Sequence, residues 1–81
     1  MIWVMEIDHA APEHPYLQLA DRLRERIRSG EITSRLPSLS ELTGATGLAV
    51  GTVRRAIDVL ADEGLVRTVP GRGTFVVRRA R

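Results

Sequence analysis

The chain has 81 residues, a formal net charge of +2 and no cysteine. A chain of this length folds as one domain, because it buries only about 60% of its unfolded surface and cannot fill two cores. Without cysteine it has no disulfide, thiolate metal site or cysteine nucleophile. The apolar run at residues 1–5 lacks a basic leader and is too short for a signal peptide or a membrane span. We therefore expect a cytoplasmic protein without a membrane partner.

Charge is distributed unevenly along the chain. All twelve basic residues are arginines, and a GC-rich genome is one reason for that choice. The first 47 residues hold five arginines and seven acidic residues, whereas residues 48–81 hold seven arginines and three acidic residues. The guanidinium fork matches phosphate oxygens and guanine edges. The C-terminal half is therefore the more basic one, and it is where a surface that faces nucleic acid would be sought.

The first thirty residues predict a strand, a loop and a helix. Residues 2–7 are β-prone and predict a short strand, and the proline-bearing loop that follows completes an N-terminal segment of residues 1–14. Apolar side chains then recur at three- and four-residue spacing, which predicts a helix at 15–29. Gly30 is expected to end it.

Two further helical patterns follow in close succession. Ser-Leu-Ser-Glu at 38–41 has the spacing of a capping box and begins a short helix that we expect to end near Gly44. A longer helix is predicted at 49–63. Two helices joined this tightly, with glycine in the joint, are typical of a helix-turn-helix.

A hairpin is predicted after the third helix. Residues 65–69 and 74–77 are β-prone and flank a Pro-Gly-Arg-Gly turn. The predicted fold class is mainly α with a small β-sheet (α+β), namely a winged helix-turn-helix of three helices and a β-hairpin wing at residues 15–77. A basic tail at 78–81 follows it.

Four short motifs make the prediction more specific. They are Tyr-Leu-Gln at 16–18, Arg-Leu-Pro-Ser at 35–38, Thr-Val-Arg-Arg-Ala at 52–56 and Gly-Arg-Gly-Thr-Phe at 71–75. In this order and spacing they resemble the N-terminal DNA-binding domain of the GntR family of bacterial transcriptional regulators, over roughly residues 15–76. The resemblance implies a sequence-specific double-stranded DNA-binding regulator that acts as a repressor. It also implies that the third helix enters the major groove, the second helix begins at a phosphate and the wing reaches the minor groove.

The side-chain chemistry agrees with these implied roles. Ser38 offers a hydroxyl and helix-terminal amides to phosphate, in addition to capping its helix. Arg54 is expected to reach a guanine edge or a phosphate, whereas Arg55 either touches the DNA backbone or is simply solvated. Arg72 between two glycines suits a narrow minor groove, although the same residues also suit an ordinary turn. The predicted DNA-binding residues are Arg35, Ser38, Ser40, Val50, Gly51, Thr52, Arg54, Arg55, Gly71, Arg72 and Gly73.

The chain departs from the family pattern at two places. Ser40 stands where the family commonly has an arginine, and Ala49 with Val50 replaces a Ser-Arg or Thr-Arg pair. Because those groups often supply base and phosphate contacts, Val50 is expected to contact a thymine methyl group instead. The departures keep a second function open, in which the winged helix docks on another regulator without strong DNA readout.

Other chemistries have little support in the sequence. His9 and His14 lie near acidic residues, but their spacing fits no common zinc site. The glycines around Arg72 lack the strand-to-helix context of a nucleotide-binding loop. We expect no catalytic residues, no cofactor, no metal and no enzymatic activity.

The expected partners follow from the size of the module. A domain this small contacts few base pairs, so we expect a homodimer on a palindromic site, with the N-terminal strand as a candidate for pairing. Regulators of the GntR family normally carry a C-terminal effector-binding domain. The sequence is compatible with two alternatives. The chain is either a minimal regulator whose activity a partner protein tunes, or a part of a longer chain.

Overall fold

A computed structural model describes residues 7–77, in which three helices precede a two-stranded antiparallel hairpin. The elements are α1 (Pro15–Arg28), α2 (Leu39–Thr46), α3 (Val50–Asp62), β1 (Val66–Val69) and β2 (Gly73–Val76). In the hairpin Val66 lies opposite Val76, and Val69 lies opposite Gly73. The predicted fold class is confirmed. Most of the predicted N-terminal strand and all of the basic tail lie outside the described residues, so both stay predictions.

The core lies between α1 and α3, and α2 and the hairpin close its sides. The apolar side chains at three- and four-residue spacing on α1 and α3 face each other, as an amphipathic pattern requires. α2 buries fewer side chains in the core than α1 and α3 do, because Leu42 is its one buried residue. The buried hydrophobic residues in the described part of the chain are Leu19, Ala20, Leu23, Ile32, Leu36, Leu42, Leu48, Val53, Ala56, Ile57, Leu60 and Val66.

The prediction that α2 ends near Gly44 is wrong. The helix continues to Thr46, and Gly47 follows in the left-handed conformation with a φ of 74°. The Gly47 amide donates to the Thr43 carbonyl at 2.8 Å, which closes the last turn. A glycine inside a helix costs only about 1 kcal/mol, whereas the left-handed position after a helix strongly favours glycine. Of the two glycines, the second therefore ends the helix.

The connector between α1 and α2 pairs with the hairpin, which the sequence did not predict. The Leu36 amide donates to the Thr74 carbonyl at 2.9 Å. Arg35 forms an isolated antiparallel bridge with Phe75. β2 is thus hydrogen-bonded along both edges, to β1 on one side and to the connector on the other. This pairing fixes the wing relative to the start of α2.

An ion pair joins α1 to the residue that follows α3. The Arg24 guanidinium donates to both carboxylate oxygens of Glu63, at 2.8 and 2.5 Å, and also pairs with Asp21. The hydrogen bonds from Arg24 lower the pKa of the Glu63 carboxyl. Because this pair fixes the end of α3 against α1, it supports the orientation of α3.

Candidate nucleic-acid interface

A groove of about 730 Å³ lies between the start of α2, the exposed face of α3 and the wing. Three arginines, one each from the connector before α2, from α3 and from the wing, line it together with two serines. The predicted DNA-binding residues that line the groove are Arg35, Ser38, Ser40, Arg54, Gly71, Arg72 and Gly73. The fold therefore gathers three of the four sequence motifs on one surface.

The other four predicted residues lie on the first two turns of α3, outside this groove. Val50 is the first residue of the helix and has an exposed fraction of 48%. Gly51 and Arg55 are exposed, and Thr52 is half-buried. The N-terminal end of α3 is thus an accessible surface beside the groove. The contact of all eleven residues with DNA stays a prediction.

The start of α2 is a capping box. The Ser38 Oγ accepts a hydrogen bond from the Glu41 amide at 3.0 Å, and the Ser38 amide donates to the Glu41 carboxylate at 2.9 Å. The hydrogen bond from the Ser38 amide, followed by that of its side chain, lowers the pKa of the Glu41 carboxyl. The Ser38 hydroxyl can also donate its proton to an acceptor other than the Glu41 carboxylate, because a hydroxyl group rotates. The first backbone amides of α2 have no carbonyl partner within the helix, and their N–H groups point out of its N-terminal end, where Ser38 lies.

The wing tip is a tight turn that holds Arg72 in an exposed position. The Arg72 amide donates to the Val69 carbonyl at 3.0 Å. Gly71 and Gly73 have positive φ values of 77° and 123°, which favour glycine. A Cβ atom added at Gly73 would lie 3.1 Å from the Arg35 Nε. The wing backbone and the Arg35 side chain are therefore in close contact.

Replacing Gly73 with alanine is expected to lower the free energy of unfolding by about 1 to 2 kcal/mol. Most of this cost is backbone strain at a φ of 123°, since the exposed Arg35 guanidinium can move away from the new methyl group. Urea unfolding measures the effect. Gly44→Ala is the control, because Gly44 lies inside α2 with no atom within 4 Å of an added Cβ. Gly44→Ala should stabilise the domain by up to about 1 kcal/mol. If the two substitutions changed the free energy of unfolding equally, the prediction would be wrong.

Arg54 and Arg55 are neighbours in the sequence but lie in different surroundings. Arg54 lines the groove. The Arg55 guanidinium lies over the Tyr16 ring, 4.3 Å from its centre, and the His14 ring stacks on the same tyrosine at 5.9 Å. Such a cation–π contact restricts the guanidinium at the junction of α1 and α3. The sequence offered no signal for it, because the contact depends on how the two helices pack.

Gln18 of the Tyr-Leu-Gln motif ties the N-terminal loop to α1. Its side-chain amide donates to the carbonyls of Asp8 at 2.8 Å and Glu13 at 3.0 Å. Its side-chain oxygen accepts from the Asp8 amide at 2.8 Å. The residue therefore has a structural role that the motif alone did not indicate.

The described residues offer neither a metal site nor a membrane span. Within residues 7–77 the histidine, aspartate and glutamate side chains form no group of three or more that could hold a metal ion. In the same part of the chain, no helix combines the length and the apolar character that a membrane crossing requires.

Most of this chain matches a known family of bacterial proteins. The family model for bacterial regulatory proteins of the gntR family matches residues 15–76. The chain belongs to the GntR family. The resemblance based on the four motifs is thereby confirmed, and the chain is a GntR-type DNA-binding domain of a transcriptional regulator.

Two curated relatives illustrate the relationship. The chain is 38% identical over 74 residues to the HTH-type transcriptional repressor NagR of Bacillus subtilis, which covers 89% of this chain and 30% of NagR. It is 38% identical over 63 residues to the mannosyl-D-glycerate transport/metabolism system repressor MngR of Escherichia coli, covering 75% of this chain and 26% of MngR. The chain thus spans less than a third of the length of these GntR-type relatives.

Solved structures show the same architecture. The DNA-binding domain of AraR in complex with operator ORX1 superposes with a TM-score of 0.82 at 28% identity, covering 93% of this chain and 98% of that one. YtrA from Sulfolobus acidocaldarius, a GntR-family transcription factor, superposes with a TM-score of 0.83 at 33% identity, covering 95% and 83%. The three helices and the wing are therefore arranged as in GntR-family DNA-binding domains.

Proposed function

We propose that this domain binds a specific double-stranded DNA sequence and acts as a cytoplasmic transcriptional repressor, not as an enzyme. The observation that carries the proposal is the groove, in which arginines from the connector, α3 and the wing converge. Membership of a family of regulators, and the similarity to AraR bound to its operator, support the same conclusion. Repression is proposed because NagR and MngR are repressors.

The proposed docking places α3 in the major groove and the wing in the adjacent minor groove. The exposed N-terminal end of α3 then faces base edges, where Val50 contacts a thymine methyl group and Arg54 a guanine. Arg72 at the wing tip enters the minor groove, whose negative potential attracts a guanidinium when it is narrow. Gly71 and Gly73 let the wing backbone approach closely.

The remaining predicted residues are proposed to position the domain on the phosphates. The Ser38 hydroxyl and the first amides of α2 bind one phosphate, in a contact that carries no sequence information. Arg35 lies beside the wing. Its guanidinium is proposed to bind a phosphate of the same DNA strand that Ser38 contacts. Arg55 is proposed as a further phosphate contact, because it is exposed on the first two turns of α3, where its guanidinium lies over the Tyr16 ring.

Selection from a random pool of duplexes tests this function. The parent chain is mixed with the pool at near-physiological salt, and the bound fraction is amplified and sequenced over several rounds. We expect one motif to be enriched, since base contacts discriminate between sequences by about 1 to 3 kcal/mol each. Binding without enrichment would reject sequence-specific recognition. Absence of binding would favour the alternative function, in which the domain docks on another regulator.

We also propose that the domain acts as a homodimer on a palindromic site, with a partner protein as a further regulator. One domain contacts few base pairs, and symmetric half-sites multiply the affinity. The enriched motif is then expected to contain two inverted half-sites about one helical turn apart. Sedimentation of the complex should give two chains per duplex. One chain on a non-repeated motif would contradict the dimer.

A further inference from the structure

One acidic residue, Asp58, lies among the arginines of the candidate interface. It is exposed on α3, one turn after Arg54, and is the one carboxylate among the described residues that line the groove. Within residues 7–77 no hydrogen bond or ion pair engages its side chain. Its carboxylate therefore has no direct partner in the described part of the chain.

The shape of DNA determines what this carboxylate would face. A helix in the major groove and a wing in the adjacent minor groove are separated by one sugar-phosphate strand. That strand has to pass through the groove between α3 and the wing, which is the groove that Asp58 lines. Arg35, Arg54 and Arg72 attract the phosphates there, and Asp58 repels them. The repulsion grows as docking removes water from between the charges.

We propose that Asp58 limits the affinity of this domain for DNA by opposing the phosphate strand between α3 and the wing. This inference rests on the proposed function. The domain binds DNA less tightly than its arginines alone would allow, and the complex dissociates faster. A carboxylate in this position tunes how long the regulator stays on DNA without reading a base.

Asp58→Asn tests the inference, because it removes the charge and keeps the size of the side chain. Asp62→Asn is the matched control, since Asp62 is an exposed acid on the same helix but outside the groove. Fluorescence anisotropy gives the affinity of the full chain for the selected duplex and for a random duplex over a range of salt. We expect Asp58→Asn to tighten binding to the selected duplex about three- to tenfold at low salt. The slope of log affinity against log salt should steepen, because the net positive charge that faces the phosphates rises by one.

The control should tighten binding less than about twofold, because an exposed charge outside the interface is screened. If the parent binds no duplex, the proposed function itself is wrong. If the parent binds but the two substitutions have equal effects, Asp58 does not face the phosphates and only this inference is wrong. If Asp58→Asn weakens binding and relaxes one base preference, Asp58 accepts a hydrogen bond from a base such as cytosine, and the inference is again overturned. Thermal melts establish that both variants are folded.

Discussion

Replacing Arg54 with alanine is expected to weaken binding to the selected duplex by about 1 to 3 kcal/mol and to relax the preference at one base position. Arg54 lies on the second turn of α3, is exposed and lines the groove. A guanidinium in this position can donate two hydrogen bonds to one guanine, which no other base accepts in the same way. Repeating the selection with the variant measures the relaxed preference, and anisotropy measures the lost affinity.

Arg67→Ala is the matched control for this prediction. It removes the same charge from an exposed position on β1, opposite Phe75 and outside the groove. We expect a small loss that is equal for selected and random duplexes, since a distant charge acts on all DNA alike. If Arg54→Ala bound both duplexes as tightly as the parent, α3 would not contact DNA and the docking proposed above would be wrong.

The helices and the hairpin were predictable because their signals are local. Apolar spacing marked the buried faces of α1 and α3, and the capping box marked the start of α2. The end of α2 was not predictable, because Gly44 and Gly47 are both plausible ends and only the backbone conformation separates them. The pairing of the connector with β2 joins residues about forty positions apart, and no local pattern indicates such a contact.

The candidate site was predictable in part. Motifs at fixed spacing indicated the start of α2, the start of α3 and the wing, and the fold gathers seven of the eleven predicted residues in one groove. The separation of Arg54 from Arg55 required the packing of α3 against α1, since it depends on Tyr16. Asp58 was missed because an acid on an exposed helical face is usually just solvated. Its position opposite the wing appears only in three dimensions.

Replacing Leu42 with alanine is expected to lower the free energy of unfolding by about 2 to 5 kcal/mol. Leu42 is fully buried and is the one buried residue of α2, so the shortened side chain leaves a cavity where α2 meets the core. A domain of this size has a total stability of about 4 to 12 kcal/mol. The loss is therefore a large fraction of the whole, and the melting temperature should fall by at least about 10 °C.

Leu17→Ala removes the same atoms from an exposed position of α1 and should change the stability by less than about 0.5 kcal/mol. Thermal melts of both variants, with and without the selected duplex, separate folding from recognition. Saturating duplex should restore part of the lost melting temperature of Leu42→Ala, because DNA binds the folded state. The base preference of Leu42→Ala should equal that of the parent. Arg54→Ala, in contrast, should keep the stability of the parent and lose its preference at one base position. If Leu42→Ala melts like Leu17→Ala, α2 is not anchored through this leucine, and the start of α2 would need another support to hold Ser38 at the phosphate.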